Sequence, residues 1–495
     1  MSKSDHSKEN KAFTRRDFLK TGALSTLAIG SGFLGQRAIA SPKFKNEGDA
    51  KNVIFLVVDG MSSGTMALGD LISRRQYGKT TNWVNLYETR KDYHRGLMDV
   101  ASLDSVVTDS AASAAAWGSG KRVNNGAVNM GPEGEEYRTI LEVFRDAGKS
   151  TGLVTTTRIT HATPAGFGAN VPSRNLEDDI AKQYYEREYD VLMGGGDRHF
   201  RPDRRRDGLD LYDGFQKKGY TVVKTKSELA RATRNSKMLG IFYDSHLPYM
   251  PDYNTLADIQ RDVPTLAEMS SAALERLSGN DKGFILQIEG GRVDHAAHGN
   301  DAASLIYDQI AFDDAIGVVL DFIENRDDTL VIITTDHGNA NPGLNGMGSR
   351  YTDSPMTLDR IQNFRHSFEW MYGEINFHWS DDSIRENVTE KKVREVVEYA
   401  TNLQISDLES SMIYDAFRGR FPVAYRDRRS PGAVLSGVLA NYTGIYFIGT
   451  VHTADYVELC ALGPGSEQLS NFTRNTDLFD LMVDMAGVRA YAGEK

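Results

Sequence analysis

Residues 289–298 read EGGRVDHAAH. Asp294 and His298 stand four apart, and on a helix that spacing puts both side chains on one face. A carboxylate oxygen and an imidazole nitrogen so placed can grip one divalent cation. A catalytic zinc with three protein ligands keeps its fourth position for water or substrate. Asp336-His337 in TTDHGNAN offers a second mixed oxygen and nitrogen pair, and His452 in GTVHTADY, isolated between two apolar runs, is a candidate last ligand. With Asp59 in VDGM, these residues form a set whose chemistry suits a metal site. A different chemistry is offered by VTDSAASAAAWGSGKR, residues 107–122, where Ser110 follows Asp109 and opens an alanine-rich run. It reads either as an ordinary helix start, capped by Thr108, Asp109 or Ser110, or as a nucleophile at a helix N-terminus. Of the eleven histidines, His6, His94, His199, His246, His366 and His378 read as hydrogen-bonded structural residues.

The elements that would position these groups are short apolar runs separated by helical patterns. The runs are NVIFLVV (52–58), TGLVTTT (151–157), YDVLMGG (189–195), FILQI (284–288) and TLVIITT (329–335). They are continuous rather than alternating, as strands buried on both faces are. Segments such as YRTILEVFRDAG and VPTLAEMSSAALERLSG lie between them, so the expected fold is α/β with a mainly parallel sheet covered on both sides. Asp59, Glu289 and Asp336 each follow a run directly, and TGLVTTT leads to His161-Ala162-Thr163. Open parallel sheets bind ligands at the carboxyl ends of their strands. One acid there is an ordinary turn residue, but three on one edge repel each other unless cations hold them.

The bulk properties restrict the function. The chain has 495 residues and a formal net charge of −11, which argues against nucleic acid as a partner. An acidic protein that handles an anion must carry its positive charge locally, as metal ions or a placed arginine. The single cysteine, Cys460, excludes an intrachain disulfide and reads as a buried small residue. Near the N-terminus, TRRDFLK (14–20) precedes the uncharged TGALSTLAIGSGFLGQ, and Ala38 and Ala40 make a small-x-small cleavage pattern. The uncharged stretch is short for a bilayer span. Arg15 and Arg16 resemble a twin-arginine export signal over residues 1–40, so export to the periplasm or beyond is expected, without stable membrane insertion after processing.

Taken together, VTDSAASAAAW, HATPAGFGANVPSR, EGGRVDHAAH, TTDHGNAN and the later VHT resemble the alkaline phosphatases. The likeness spans roughly residues 50–340 and 441–485. It implies a three-layer α/β/α sandwich, and hydrolysis of small phosphate monoesters through a phosphoserine on Ser110. It also implies two Zn²⁺ and one Mg²⁺. Asp294, His298 and His452 match the ligands of one zinc. Asp59, Asp336 and His337 match those of the other, which also meets Ser110. Asp59, Thr163 and Glu289 match the third site. Arg174 matches the phosphate-holding arginine, oriented by Asp109, and the resemblance implies a homodimer. His161 and His295 stand where some bacterial members carry an acid and a lysine. Because imidazole suits zinc better than magnesium, the third site could take Zn²⁺.

The expected organisation is a core over 41–340, an insertion over 341–440 and the remainder of the core over 441–495. The insertion is expected to act as a lid, crown or interface, with the aromatics of FRHSFEWMYGEINFHW (364–379) as its small core or contact surface and RGRFPVAYRDRRS as solvated surface. Competing readings are a related phosphodiesterase or sulfatase, or a non-catalytic surface protein that binds metal or phosphate. No C/S-x-P-x-R context surrounds Ser110, as sulfatases need. Thr163, Glu289 and Arg174 argue against a diesterase, and the intact Ser110 argues against a mere binder.

Overall fold

All five apolar runs fold into one ten-stranded sheet. The computed structural model describes residues 48–493 apart from 235, 348–350, 379–382, 385–386 and 422. The expected export signal over 1–40, with Arg15, Arg16 and His6, lies outside the described residues, as does the side chain of His378. In chain order the strands are β1 (Asn52–Val58), β2 (Tyr93–Asp99), β3 (Ser150–Arg158), β4 (Val191–Gly195), β5 (Thr221–Val223), β6 (Met238–Ile241), β7 (Phe284–Gly290), β8 (Thr329–Thr335), β9 (Val457–Leu462) and β10 (Phe472–Arg474). Their spatial order is β10-β2-β9-β8-β1-β7-β3-β4-β6-β5. Only β9 runs antiparallel to both its neighbours, β2 and β8, among the described strands.

Every residue of β1, β4, β7 and β8 is buried. Alternate residues of β1 enter two different cores. Ile54, Leu56 and Val58 face one with the long helix Ala302–Ile323, while Val53, Phe55 and Val57 face the other with the Ser110 helix. Helices thus cover both faces, giving the three-layer sandwich the sequence implies.

The parallel register brings the strand-end acids together. Val58 lies opposite Thr335 of β8 and Gly290 of β7, so Asp59 and Asp336 emerge side by side one residue further on. Glu289 lies between Val57 of β1 and Thr155 of β3. His452 arrives from far along the chain by a two-residue antiparallel pairing, His452 with Asn339 and Thr453 with Gly338, which sets it beside His337.

Residues 341–440 form several helices, among them Phe368–Glu374, Glu390–Thr401 and Asp407–Phe417. Their Phe368, Met371, Val393 and Phe417 belong to the same apolar cluster as the Ala302–Ile323 helix. A further helix, Pro431–Thr443, runs across residue 440. No helix among the described residues is long and apolar enough to cross a membrane.

The helix that carries Ser110 (Ser110–Ser119) is wholly buried. It packs against a shorter helix, Ala162–Gly168, so closely that a Cβ on Gly118 would sit 1.9 Å from the Gly166 carbonyl oxygen, and one on Gly166 would sit 2.4 Å from Ala114 Cβ. Phe55 fills the space beneath, 5.0 Å from Trp117 and 5.2 Å from Phe167 between ring centroids. Gly166→Val must push the Ser110 helix off this seat. The expected result is a loss of about 1–3 kcal/mol of stability with a fall in kcat, read by thermal unfolding and steady-state kinetics.

Candidate active site

Asp109 precedes the buried helix in extended backbone and caps it, Oδ1 accepting the Ala112 N–H at 2.9 Å. The capping role therefore falls to Asp109, and Ser110 Oγ turns instead to His337, 3.2 Å from Nε2. The second oxygen of Asp109 takes Arg174 Nη1 at 3.1 Å. Arg174 Nη2 donates to His161 Nε2 at 3.0 Å. His161 can accept there because it is neutral: burial first, and then the Arg174 charge, depress it to about 3. One aspartate thus fixes both the start of the serine helix and the heading of a guanidinium.

Around Ser110 and His337, three groups of donor atoms each lie within 4.8 Å of one another: Asp294, His298 and His452; Asp59, Asp336 and His337; Asp59, His161 and Glu289. Asp59 belongs to two of them and is fully buried. Thr163 Oγ1 lies 3.4 Å from Asp59 Oδ2.

The residues present fit metal ions. Asp59 Oδ1, Asp336 Oδ2 and Glu289 Oε1 are buried without a hydrogen-bond partner, an arrangement that costs stability unless something binds there. Burial, then the charges of Asp336, Asp294 and Glu289, drive the Asp59 carboxyl well above its usual range. Burial pushes Glu289 up to about 7. The first group is the most telling. His298 Nδ1 donates to the Thr450 carbonyl at 2.6 Å, and His452 Nδ1 to the Thr108 carbonyl at 2.8 Å. Their two Nε2 atoms then face each other at 3.0 Å. Two lone pairs hold that distance only with a proton or a cation between them. Burial opposes a proton on His298, but Asp294 beside it, 3.3 Å away, lifts the ring to about 9. The proton stands where a metal would.

The alkaline phosphatase family model matches residues 50–410. The chain belongs to the alkaline phosphatase family. It is 30% identical over 473 residues to alkaline phosphatase 4 of Bacillus subtilis, covering 93% of this chain and 94% of that protein. It superposes on the crystal structure of Thermus thermophilus alkaline phosphatase with a TM-score of 0.83 and 34% identity, over 91% of this chain and 93% of that one. A variant of the alkaline phosphatase from the Antarctic bacterium TAB5, with aspartate in place of a histidine and Mg bound in its M3 site, shares the fold at 24% identity and a TM-score of 0.62, over 89% and 99% of the two chains. As a family member the protein is a metal-dependent phosphatase that acts on phosphate monoesters.

The alkaline phosphatase site extends past the residues singled out in the sequence. Asn339 Nδ2 holds Asp294 Oδ1 at 2.7 Å, and Ser113 Oγ donates to the Asp336 carbonyl at 2.9 Å. Thr155 and Thr157 hydroxyls both donate to Glu289 Oε2. Such outer partners orient the groups that face a metal. Gly60, at φ +73°, turns the chain where a Cβ would lie 2.5 Å from Asp294 Oδ1. His246, grouped by sequence with the structural histidines, accepts the Arg158 N–H through Nδ1 and packs on His295 and His161, at 4.3 and 5.5 Å between ring centroids. Arg158 in turn pairs with Glu177 at 2.7 Å. Only the position of Arg158 at the end of a strand run could have pointed to it. His199 joins the same network, 3.3 Å from Glu177 and 2.7 Å from Asp178, whereas His366 pairs with Asp252 and His94 with the Ser470 carbonyl.

Because His298 and Glu289 hold protons that a metal must displace, metal uptake by chelated protein should release protons, roughly one per cation for the Asp294 group near neutral pH. Affinity should therefore weaken as pH falls from about 9 toward 6. Calorimetric titration with Zn²⁺ in buffers of differing ionisation heat measures this; uptake with no proton release would contradict it.

Proposed function

We propose that this enzyme hydrolyses small phosphate monoesters to an alcohol and inorganic phosphate through a phosphoserine on Ser110. One cation would be held by Asp294, His298 and His452, a second by Asp59, Asp336 and His337 with Ser110, and a third by Asp59, Thr163 and Glu289 with His161 beside it. Two Zn²⁺ and one Mg²⁺ suit these donors, although the histidine leaves room for Zn²⁺ at the third position. When bound, such ions favour the serine alkoxide and take up the negative charge that develops on the leaving oxygen.

The residues of the chain do the rest. Ser110 Oγ, buried at a helix N-terminus, forms a bond to phosphorus as the ester oxygen departs on the opposite side. Arg174 presents a planar fork to two phosphoryl oxygens, and Asp109 keeps that fork from turning away. His161, neutral and bonded to Arg174, steadies the same guanidinium from the other side. A water arriving from the departure side then breaks the Ser110–phosphorus bond. The observation that carries this reading is the placing of Ser110 Oγ, 3.2 Å from His337 within the cluster of donor groups, with Arg174 anchored through Asp109 next to it in sequence.

We also propose export, on the strength of TRRDFLK and the cleavage pattern that follows it, and a homodimeric assembly. Residues 341–440 would wall one side of the site as a partial lid.

Ser110→Ala should lower kcat by at least about 10³-fold while leaving metal uptake by Asp294, His298 and His452 in place. Acid-quenched wild-type enzyme should show the mass of one added phosphoryl group on the peptide that contains Ser110, and the variant none. A bis-ester cleaved faster than its monoester by the wild type would favour a diesterase instead. His161→Asp replaces a nitrogen donor by the oxygen that Mg²⁺ prefers, so it should tighten Mg²⁺ binding and change turnover. Equal Mg²⁺ activation of variant and wild type would refute the third-site assignment.

A further inference from the structure

An in-line displacement expels the leaving oxygen on the side of phosphorus away from the nucleophile. The histidines mark that direction. Ser110 touches His337, the His337 ring stacks on His452 with 3.6 Å between centroids, and His452 meets His298 at 3.0 Å. His298 thus stands at the far end of the row from Ser110. Beside it opens a cavity of about 240 Å³, lined in part by His295 and His298.

The cavity walls are largely aromatic, with Tyr249, Phe368, Tyr372 and Phe377, joined by Pro431 and Gly432. Tyr372 packs against both Phe368 and Phe377, at 6.5 and 5.3 Å between centroids. Arg292 beside the cavity is already engaged: Glu369 pairs with it at 2.6 Å, and its guanidinium lies 3.6 Å from the centroid of the Tyr249 ring. Asp301 accepts the Phe368 N–H at 2.7 Å and the Ser304 hydroxyl at the same distance. Arg292 is thus not free to draw in an anionic tail, and the Asp301 carboxylate turns to neutral donors of the chain. An apolar cavity of about 150 Å³ suffices for benzene, so this one has room for one or two rings.

We propose that this cavity is the subsite for the alcohol portion of the monoester, and that it selects aromatic or other compact apolar leaving groups over short polar ones. The proposal rests on the phosphomonoesterase reading. It also assigns a task to residues 364–432, which supply most of the wall.

Gly299 gives the test. It lines the cavity, its φ is not positive, and a Cβ there meets nothing within 4 Å. Gly299→Leu should fill the space without disturbing the backbone. With the metal-loaded enzyme, the ratio of kcat/KM for 1-naphthyl phosphate to that for methyl phosphate should fall about tenfold in this variant, the scale on which apolar pockets discriminate. Phe377→Ala, which strips wall surface instead of adding bulk, should lower the same ratio and carries the comparison should Gly299→Leu fold poorly. Fluorescence titration should show saturable binding of 2-naphthol to the wild type and weaker binding to the variants. An unchanged ratio in both variants, or wild-type enzyme that does not bind 2-naphthol, overturns the subsite while leaving the phosphatase reading intact. Saturable 2-naphthol binding lost in the variants, in a protein that hydrolyses neither ester, supports the cavity and sinks the phosphatase reading.

Discussion

Four carboxylates, Asp59, Glu289, Asp294 and Asp336, are buried at one edge of the sheet, and the structure around them is organised by their repulsion. Taking even one ion out of water costs several kcal/mol after relaxation, and like charges at this spacing cannot all stay ionised without a compensating cation. The protein answers in two ways. Where imidazoles are close, as for Asp294 and Asp336, burial is outweighed by the neighbouring ring and the carboxyl is held below its usual range. Where burial and the neighbouring carboxylates prevail, as for Asp59 and Glu289, the carboxyl is pushed up. The pattern is that of a site built around positive charge, with protons in the places of metals.

That cluster exists because of strand register. The parallel pairing of β8, β1 and β7 delivers Asp336 and Asp59 to one edge at the same level, with Glu289 two residues behind them. The apolar runs that form these strands also bury both faces, so the edge cannot slip without moving a whole set of side chains between the two cores. Rigidity at the acids is therefore a by-product of core packing. The same logic places Ser110. The alanines and glycines after Ser110 allow two helices to touch backbone to backbone, and that contact sets the height of Ser110 above the sheet.

Much of this was legible in the sequence, for identifiable reasons. Continuous apolar runs ending in acids report parallel strands and their functional edge directly, and Asp294 with His298 reports a helix face. The apolar run of β9 was visible but its antiparallel direction was not, because an apolar run carries no sign of its orientation, and the short pairing that brings His452 to Asn339 was hidden because two-residue bridges leave no periodic trace. The double use of Asp109 was not legible either. Sequence offered capping by Asp109 only as an alternative to a nucleophilic Ser110, and the family resemblance alone gave the aspartate to Arg174, whereas its two carboxylate oxygens perform one role each. His246 was read as a hydrogen-bonded structural residue, which it is, but its nearness to the site was hidden because it lies outside every motif and reaches there only through the fold. Arg158 and Glu177 are hidden for a related reason: an ion pair between a strand end and a helix start has no spacing rule.

The two sides of the site differ in how they are built. The side with the acids and Ser110 is made of strand ends and helix starts, elements whose positions follow from the sheet, so its geometry tolerates little variation. The cavity side is walled by Phe368, Tyr372, Phe377 and the start of the Pro431–Thr443 helix, which pack on the sheet-covering layer from outside. Substitutions there can change the shape of the cavity without displacing any acid at the sheet edge. Gly432 shows how close the two parts come, since a Cβ there would lie 2.6 Å from the Gly299 carbonyl oxygen, one residue beyond His298. Chemistry and selectivity therefore rest on separate structural layers that meet at that contact, and selectivity is the layer with freedom to vary.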